Sequence, residues 1–451
     1  MTIEEIKDTL PAGAFLALRH MGLPFVFTWE GRYTYVSAAP VMTVRTEGGR
    51  TTLRDADHQV REFADPFAAI SAVLKEPGRT QAASFPFASG FAGYFGYGLR
   101  DVIEPLARAP QRGPAPPWPE CPDCIVGLYD PVFVYDREEG RGWLASSSGE
   151  RGRMEAFRTA LAGAPCAPGC APPGFGGFTP NITKEEYLRA IARAKEYISA
   201  GDIYQINISQ RLEIPFEGDP FALYLGLLRA RPAPFSSFLD CGGFQVISNS
   251  PERLLRVEGG VAETSPIKGT RPRGSTPEKD RRLIEELRDS PKERAEHVMI
   301  VDLERNDLGR ISEPGSVEVP QFEAIESYPT LHHMVSTVRG RLRDGVDAPT
   351  ALRAVFPGGS ITGAPKIRAM EIIDELEAAP RGIYTGGIGW IDLAGGMDVS
   401  MAIRTSVCRD GSLSLNVGGG IVADSVAEEE YEETLLKARD FLDVMGEAAA
   451  G

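Results

Sequence analysis

The chain has 451 residues, 42% hydrophobic and 25% charged, the proportions of a globular protein with a large core, which excludes disorder and disulfide-stapled miniproteins. Its 48 basic and 63 acidic residues leave a net charge of −15, unsuited to nucleic acid or anionic membranes, so an anionic ligand must be held by local cations. No apolar run approaches the roughly 20 residues that span a bilayer. The opening MTIEEIKDTL is acidic where a secretory leader is basic, so a cytoplasmic protein is expected.

In chain order, residues 1–145 read as a β-rich N-terminal region, with strands over 32–36 and 132–135. Between them, glycines alternate with aromatics over 90–98, which predicts close backbone packing in a sheet. Residues 146–180 are rich in Gly, Pro, Ser and Ala and predict a linker or exposed excursion carrying one helix near 154–161. The six cysteines (Cys121, Cys124, Cys166, Cys170, Cys241 and Cys408) include one C-x2-C and one C-x3-C, both in Pro/Gly-rich loops. Zinc ligation is open to them; reduced, non-ligating thiols are the expectation.

Residues 181–447 carry sharper signals. Thr183-x-x-Glu186 is a capping box, Tyr187, Ile191, Ala194 and Ile198 recur at helical spacing, and Gly201 ends that helix. A strand over 204–209 places Tyr204, Ile206 and Ile208 on one face and Gln205, Asn207 and Ser209 on the other; the polar face is either solvated or lines a polar cleft. Closely spaced strands over 235–265 predict antiparallel pairing, and helices follow over 277–288 and 291–306. Pro365 is placed at the first position of a further helix. Strands over 383–392, 398–409 and 412–417 precede the triplet Gly418, Gly419 and Gly420, and a last helix covers 427–445. Strands joined by short turns, with helices grouped between them, predict an α+β fold.

Three groups of residues suggest chemistry. Glu293 with Glu296, and Glu430 with Glu433, are i,i+3 pairs on two helices; if the faces meet they cage a hard divalent cation, and otherwise they are solvated. Lys366 follows a glycine-rich turn at a helix start, Arg404 lies on a strand and Lys437 on the last helix; each is an anion-binding candidate or a surface charge. Ala364-Pro365 between Gly363 and Lys366 breaks the P-loop pattern. Lys268, in Pro266-Ile267-Lys268-Gly269-Thr270, is an amine nucleophile if buried and a snorkelling cation if not. Glu252 is a general acid if buried, or pairs with Arg253.

Together these blocks resemble the chorismate-utilising enzymes, the family of the anthranilate, aminodeoxychorismate, isochorismate and salicylate synthases. The resemblance rests on Gly201-Asp202-Ile203-Tyr204-Gln205, Ser250-Pro251-Glu252-Arg253, Pro266-Ile267-Lys268-Gly269-Thr270 and Glu293-Arg294-Ala295-Glu296-His297. It continues through Asp302-Leu303, Arg305-Asn306-Asp307-Leu308-Gly309, His333-Met334-Val335-Ser336, the run 356–377, and 418–425 with Glu430 and Glu433. Residues 1–145 resemble the family more loosely, through Gly93-Tyr94-Phe95-Gly96-Tyr97.

The resemblance implies an α+β chorismate-binding fold: two large antiparallel β-sheets packed as a sandwich with helices outside, residues 181–447 forming the catalytic domain and 1–145 part of the same sandwich. It implies chorismate bound beside Mg2+, with Glu296 and Glu433 as ligands and Glu293 and Glu430 acting through water. Tyr384, Arg404 and Lys437 match positions that hold the enolpyruvyl group or carboxylates. Gly418, Gly419, Gly420, Gly269, Thr270 and Ser360 match further substrate contacts, and His333 joins Lys268 and Glu252 in the catalytic set.

Two positions sort the branches. Gln205 stands where water-adding members resemble one another in having lysine, which favours a nitrogen nucleophile. Lys268 stands where anthranilate synthases have alanine and aminodeoxychorismate synthases have lysine. The implied reaction converts chorismate and ammonia to 4-amino-4-deoxychorismate, for 4-aminobenzoate and folate; the alternatives are anthranilate formation and a non-catalytic metabolite-binding relative. A glutamine amidotransferase partner is expected to supply the ammonia, since no cysteine here sits in a nucleophile-elbow setting with a downstream His-x-Glu. Pro234, Phe235 and Ser236 resemble one wall of a tryptophan pocket, whose Leu-Glu-Ser element is not found near the N-terminus.

Overall fold

The computed structural model describes residues 1–76, 85–105, 121–165, 174–328 and 331–449. Among them, two large antiparallel sheets are built, one of 13 strands and one of 12. The first runs from Thr2–Ile6 at one side, through Phe25–Trp29, Phe235–Asp240 and Gln245–Ser250, to Ser412–Ile421 and Gln205–Glu217. The second runs from Ile267–Pro272, through Arg253–Glu258, Gly387–Asp392 and Gly90–Phe95, to Val60–Phe63. Each sheet therefore joins one contiguous block of strands from residues 2–146 to one contiguous block from later in the chain.

Aromatic side chains fill the space between the sheets. Trp390 of the second sheet lies 6.3 Å from Tyr35 of the first, and Phe87 stacks on it at 5.3 Å. Each fully buried Phe there contributes about 1.5–3 kcal/mol. The outer face of the first sheet is covered by the helices Pro11–Leu18, Arg151–Ala162, Pro220–Ala230 and Ala427–Ala449. That of the second is covered by Pro66–Leu74, Pro291–Gly309 and Ala348–Val355. With both faces covered, Phe25–Trp29 is buried at every position, so its sequence shows no polar alternation.

Arg151–Ala162 lies within the Gly/Pro-rich stretch and buries Met154, Phe157 and Leu161, which ties that part of the stretch to the core. Cys166 and Cys170 lie outside the described residues. Cys124 is not in a loop: it begins the strand Cys124–Tyr129 with its thiol in the core, and burial pushes the half-buried Cys121 thiol up to about 11. Among the described residues no helix is long and apolar enough to cross a membrane.

Several boundaries differ from expectation. Pro365 caps its helix rather than opening it, because its ψ of 140° is extended, and Lys366–Leu376 begins one residue later. The strand expected to start at Tyr204 starts at Gln205, leaving Tyr204 68% exposed. The strand expected over 398–409 is two, Met397–Met401 and Thr405–Arg409, with Arg404 in the break at φ 48°. Residues 383–386 form a turn, and the strand Gly387–Asp392 follows it, so Tyr384 is not on a strand. Gly418 to Gly420 lie inside the strand Ser412–Ile421, not after it.

Gly90 and Gly93 explain the glycine–aromatic run. A Cβ on Gly93 would stand 2.1 Å from the Ile125 carbonyl oxygen, because the neighbouring strand passes that close. Gly93→Ala is expected to lower stability by about 1–3 kcal/mol, read as a drop in the midpoint of chemical denaturation; an unchanged midpoint would contradict the close packing.

Candidate active site

The two sheets bring polar residues together at one junction. Lys268 comes from Ile267–Pro272 at the end of the second sheet; Gln205 and the glycine triplet come from two paired strands near the end of the first. A Cβ on Gly420 would lie 2.8 Å from Gln205 Nε2 and 3.4 Å from Lys268 Nζ, so both groups stand directly over the glycine. A Cβ on Gly418 would lie 2.9 Å from Asn207 Oδ1, and one on Gly419 would lie 3.3 Å from Glu430 Oε2. Gln205, Asn207 and Ser209 are all buried, so the polar face of that strand does not meet solvent.

Lys268 is aimed by a bulge. The register with Leu331–Arg341 shifts between Lys268 and Thr270, and Gly269 takes up the extra residue at φ 76°. A Cβ on Gly269 would meet Leu287 Cδ1 at 2.6 Å and Glu293 Oε2 at 3.1 Å. Thr270 Oγ1 is 2.9 Å from His333 Nδ1, and His333 is 5% exposed. Burial, with the Arg404 charge nearby, pushes His333 down to about 4, so it is a neutral imidazole at pH 7.

Glu252 is 6% exposed, in the turn between Gln245–Ser250 and Arg253–Glu258. Ser360 Oγ donates to its Oε1 at 2.7 Å. Burial raises the Glu252 carboxyl, opposed by that hydrogen bond and by the charges of Lys268 and Lys437, leaving it at about 7. A carboxyl there gives or takes a proton near neutrality. Arg253 is not its partner: it binds Asp398 at 3.0 Å and lies over the Phe235 ring at 5.2 Å.

Lys437 Nζ donates to the Gly418 carbonyl at 2.9 Å and contacts Glu433 at 2.7 Å. Glu430 is buried and accepts from Ser425 Oγ at 2.7 Å. Glu293 accepts from Arg271 at 3.2 Å on the helix that also carries Glu296. Among the described residues no three carboxylate, imidazole or thiol groups already converge as a metal cage. The donor set nevertheless suits a hard divalent cation: all are carboxylates on two helices, and Glu293 and Glu430 each face a glycine whose missing side chain leaves the space open.

The other expected positions are engaged with partners of their own. Tyr384 is buried beside Arg381 and Glu377, and burial pushes its hydroxyl up. Arg404 is ion-paired with Asp440. Lys366 donates to Asp307 at 2.5 Å and to the Val355 carbonyl at 2.9 Å, so it closes a buried ion pair. Pro234 to Ser236 belong to a separate nest: Phe235 packs on Trp29 at 5.1 Å, and Ser236 Oγ donates to Asn249 Oδ1 at 2.7 Å.

His297 was missed as a site residue, although its i,i+4 spacing from Glu293 puts both on one helix face. It is fully buried, 2.6 Å from Ser336 Oγ through Nε2, and its Nδ1 has no partner. Burial and the charge of Lys268 hold it down at about 4.

Residues 25–443 match the sequence profile of the chorismate binding enzymes, and this chain belongs to that family. It is 41% identical to the aminodeoxychorismate synthase component 1 of Klebsiella aerogenes, over 92% of this chain and 90% of that one. It is also 41% identical to the anthranilate synthase component 1 of Pseudomonas aeruginosa, over 86% and 84%. In structure it resembles anthranilate synthase component I from Streptococcus pneumoniae TIGR4, with a TM-score of 0.80 and 32% identity over 91% of this chain and 92% of that one.

Ser360→Ala removes a donor to the Glu252 carboxylate. A hydrogen bond to a charged group is worth about 1.5–3 kcal/mol, so the titration midpoint should rise by about one pH unit. Carboxyl infrared titration of the resting protein reads this; a midpoint that stays put would remove Ser360 from the site.

Proposed function

We propose that this chain is the chorismate-converting component of aminodeoxychorismate synthase, joining ammonia to chorismate to give 4-amino-4-deoxychorismate for 4-aminobenzoate and folate. The observation that carries the reading is the meeting of Lys268 with Gln205 and Gly420 at the sheet junction, with the Glu252 carboxyl poised near neutrality. Aminodeoxychorismate synthase relatives at 38–41% identity support it.

In the reaction proposed, the Lys268 amine forms a bond to ring carbon 2, the ring double bond shifts, and the 4-hydroxyl leaves as water with the proton of Glu252. Ammonia then bonds to carbon 4, the double bond shifts back, and the carbon–lysine bond breaks, restoring the amine. The adduct divides one poor displacement into two easier ones. Gln205 offers a carboxamide, not a second amine, beside Lys268, so no base for water is supplied there. The Gly418–Gly420 backbone with Lys437, and Thr270 with neutral His333, bind and orient the substrate.

Glu296 and Glu433, with Glu293 and Glu430 beside them in sequence, would hold Mg2+. Bound there, it supplies charge neutralisation for the ring carboxylate. The relatives' name, component 1, supports a second subunit, which we assign as a glutamine amidotransferase delivering ammonia.

Chorismate, ammonium and Mg2+ supplied to the purified chain should yield 4-amino-4-deoxychorismate by mass, and a quench without ammonium should leave an adduct on Lys268. The equally similar anthranilate synthase relatives support a second reading, in which the product is fluorescent anthranilate; finding it would replace the first. Because burial favours the protonated form of Glu252, activity is expected to fall as pH rises through about 7. Lys268→Ala should lose the adduct and, by letting ammonia add directly at carbon 2, shift any residual product towards anthranilate.

A further inference from the structure

Glu304 is a buried carboxyl that the reaction above does not use. It lies on Pro291–Gly309 and is 4% exposed. Asp307 follows one turn later on the same helix, and the Lys366 ammonium is committed to Asp307 at 2.5 Å. Thr264, from Val261–Ser265, acts to lower the Glu304 carboxyl. A Cβ on Gly359 would lie 3.4 Å from Glu304 Oε1 and 2.5 Å from Leu303 Cδ2, so the helix presses directly on the backbone of the Gly359–Ile361 turn. The next residue of that turn is Ser360, whose hydroxyl holds Glu252.

We propose that Glu304 is a positioning residue for Glu252, packed beneath the Gly359–Ile361 turn and so fixing Ser360 against Glu252. The inference rests on Glu252 being the acid of the proposed reaction. Burial and the Asp307 charge raise Glu304 to about 8, with Lys366 and Thr264 opposing and Glu252 adding to the rise. Around Asp307 stand Lys366 and Arg310; around Glu252 stand Lys268 and Lys437. Burial and the neighbouring carboxyl charge thus favour the protonated form of Glu304 while Glu252 exchanges its own proton near neutrality. Above that range, an ionised Glu304 makes Glu252 hold its proton more tightly.

Glu304→Gln keeps the shape but cannot ionise. Its rate of chorismate consumption should match the unaltered protein near pH 6 and fall sooner on the alkaline side, by about threefold near pH 8 as coupled titration requires. Glu304→Ala should lower kcat about tenfold with KM little changed, as loss of positioning does. The infrared difference between the resting protein and Glu304→Gln at pH 7 should contain the band of one protonated carboxyl, whatever the activity. A Glu304→Gln profile that superimposes on the original, or a missing band, overturns the proposal even if Glu304→Ala fails to fold. A Glu252→Gln variant of full activity would instead overturn the reading of Glu252 and leave the band intact.

Discussion

The site exists because three consecutive positions carry no side chain where two sheets meet. Lys268 belongs to one sheet, Gln205 and the triplet to the other, and their polar ends come together over Gly420. The bulge at Gly269 turns Lys268 into this space, and the same glycine admits Glu293 from the helix behind. A methyl group at these positions would crowd the groups that define the site, most tightly at Gly269. The glycines therefore serve shape rather than flexibility, at some cost in backbone entropy.

That geometry accounts for how a chain of net charge −15 can receive an anion. The field at the junction is set by near neighbours, because Coulomb energy in a poorly solvated site outweighs distant screened surface charge. Lys268 and Lys437 both lower the Glu252 carboxyl, and Arg404 is felt by His333. Buried carboxyls on the far side are handled differently. Asp307 is given a lysine, whereas burial raises the Glu304 carboxyl and favours its protonated form. Burial makes these the two ways to avoid an uncompensated charge.

Local signals were readable directly. Thr183 with Glu186 forms the capping box, and Gly201 closes its helix in a left-handed conformation. Capping involves residues within four of one another, so sequence adjacency decides it. The glycine–aromatic run was also legible, since a strand of bare backbone admits close neighbours. Arg404 and Tyr384 were less so: each lies in a turn between strands, and nothing in the apolar pattern marks where the backbone breaks. His297 and Glu304 were passed over because a histidine or glutamate on a helix reads alike whether it faces solvent or core.

By itself, the sequence determined the residue types available for chemistry, the helix starts and the family, since motif spacing and capping are short-range properties. The tertiary structure decided which of these share a site. Gln205, Glu252, Lys268 and Gly420 come from different strands and turns, and only the pairing of strands and packing of sheets brings them within reach. It also decided which carboxyls hold protons, because desolvation depends on burial, and burial is a property of the whole fold.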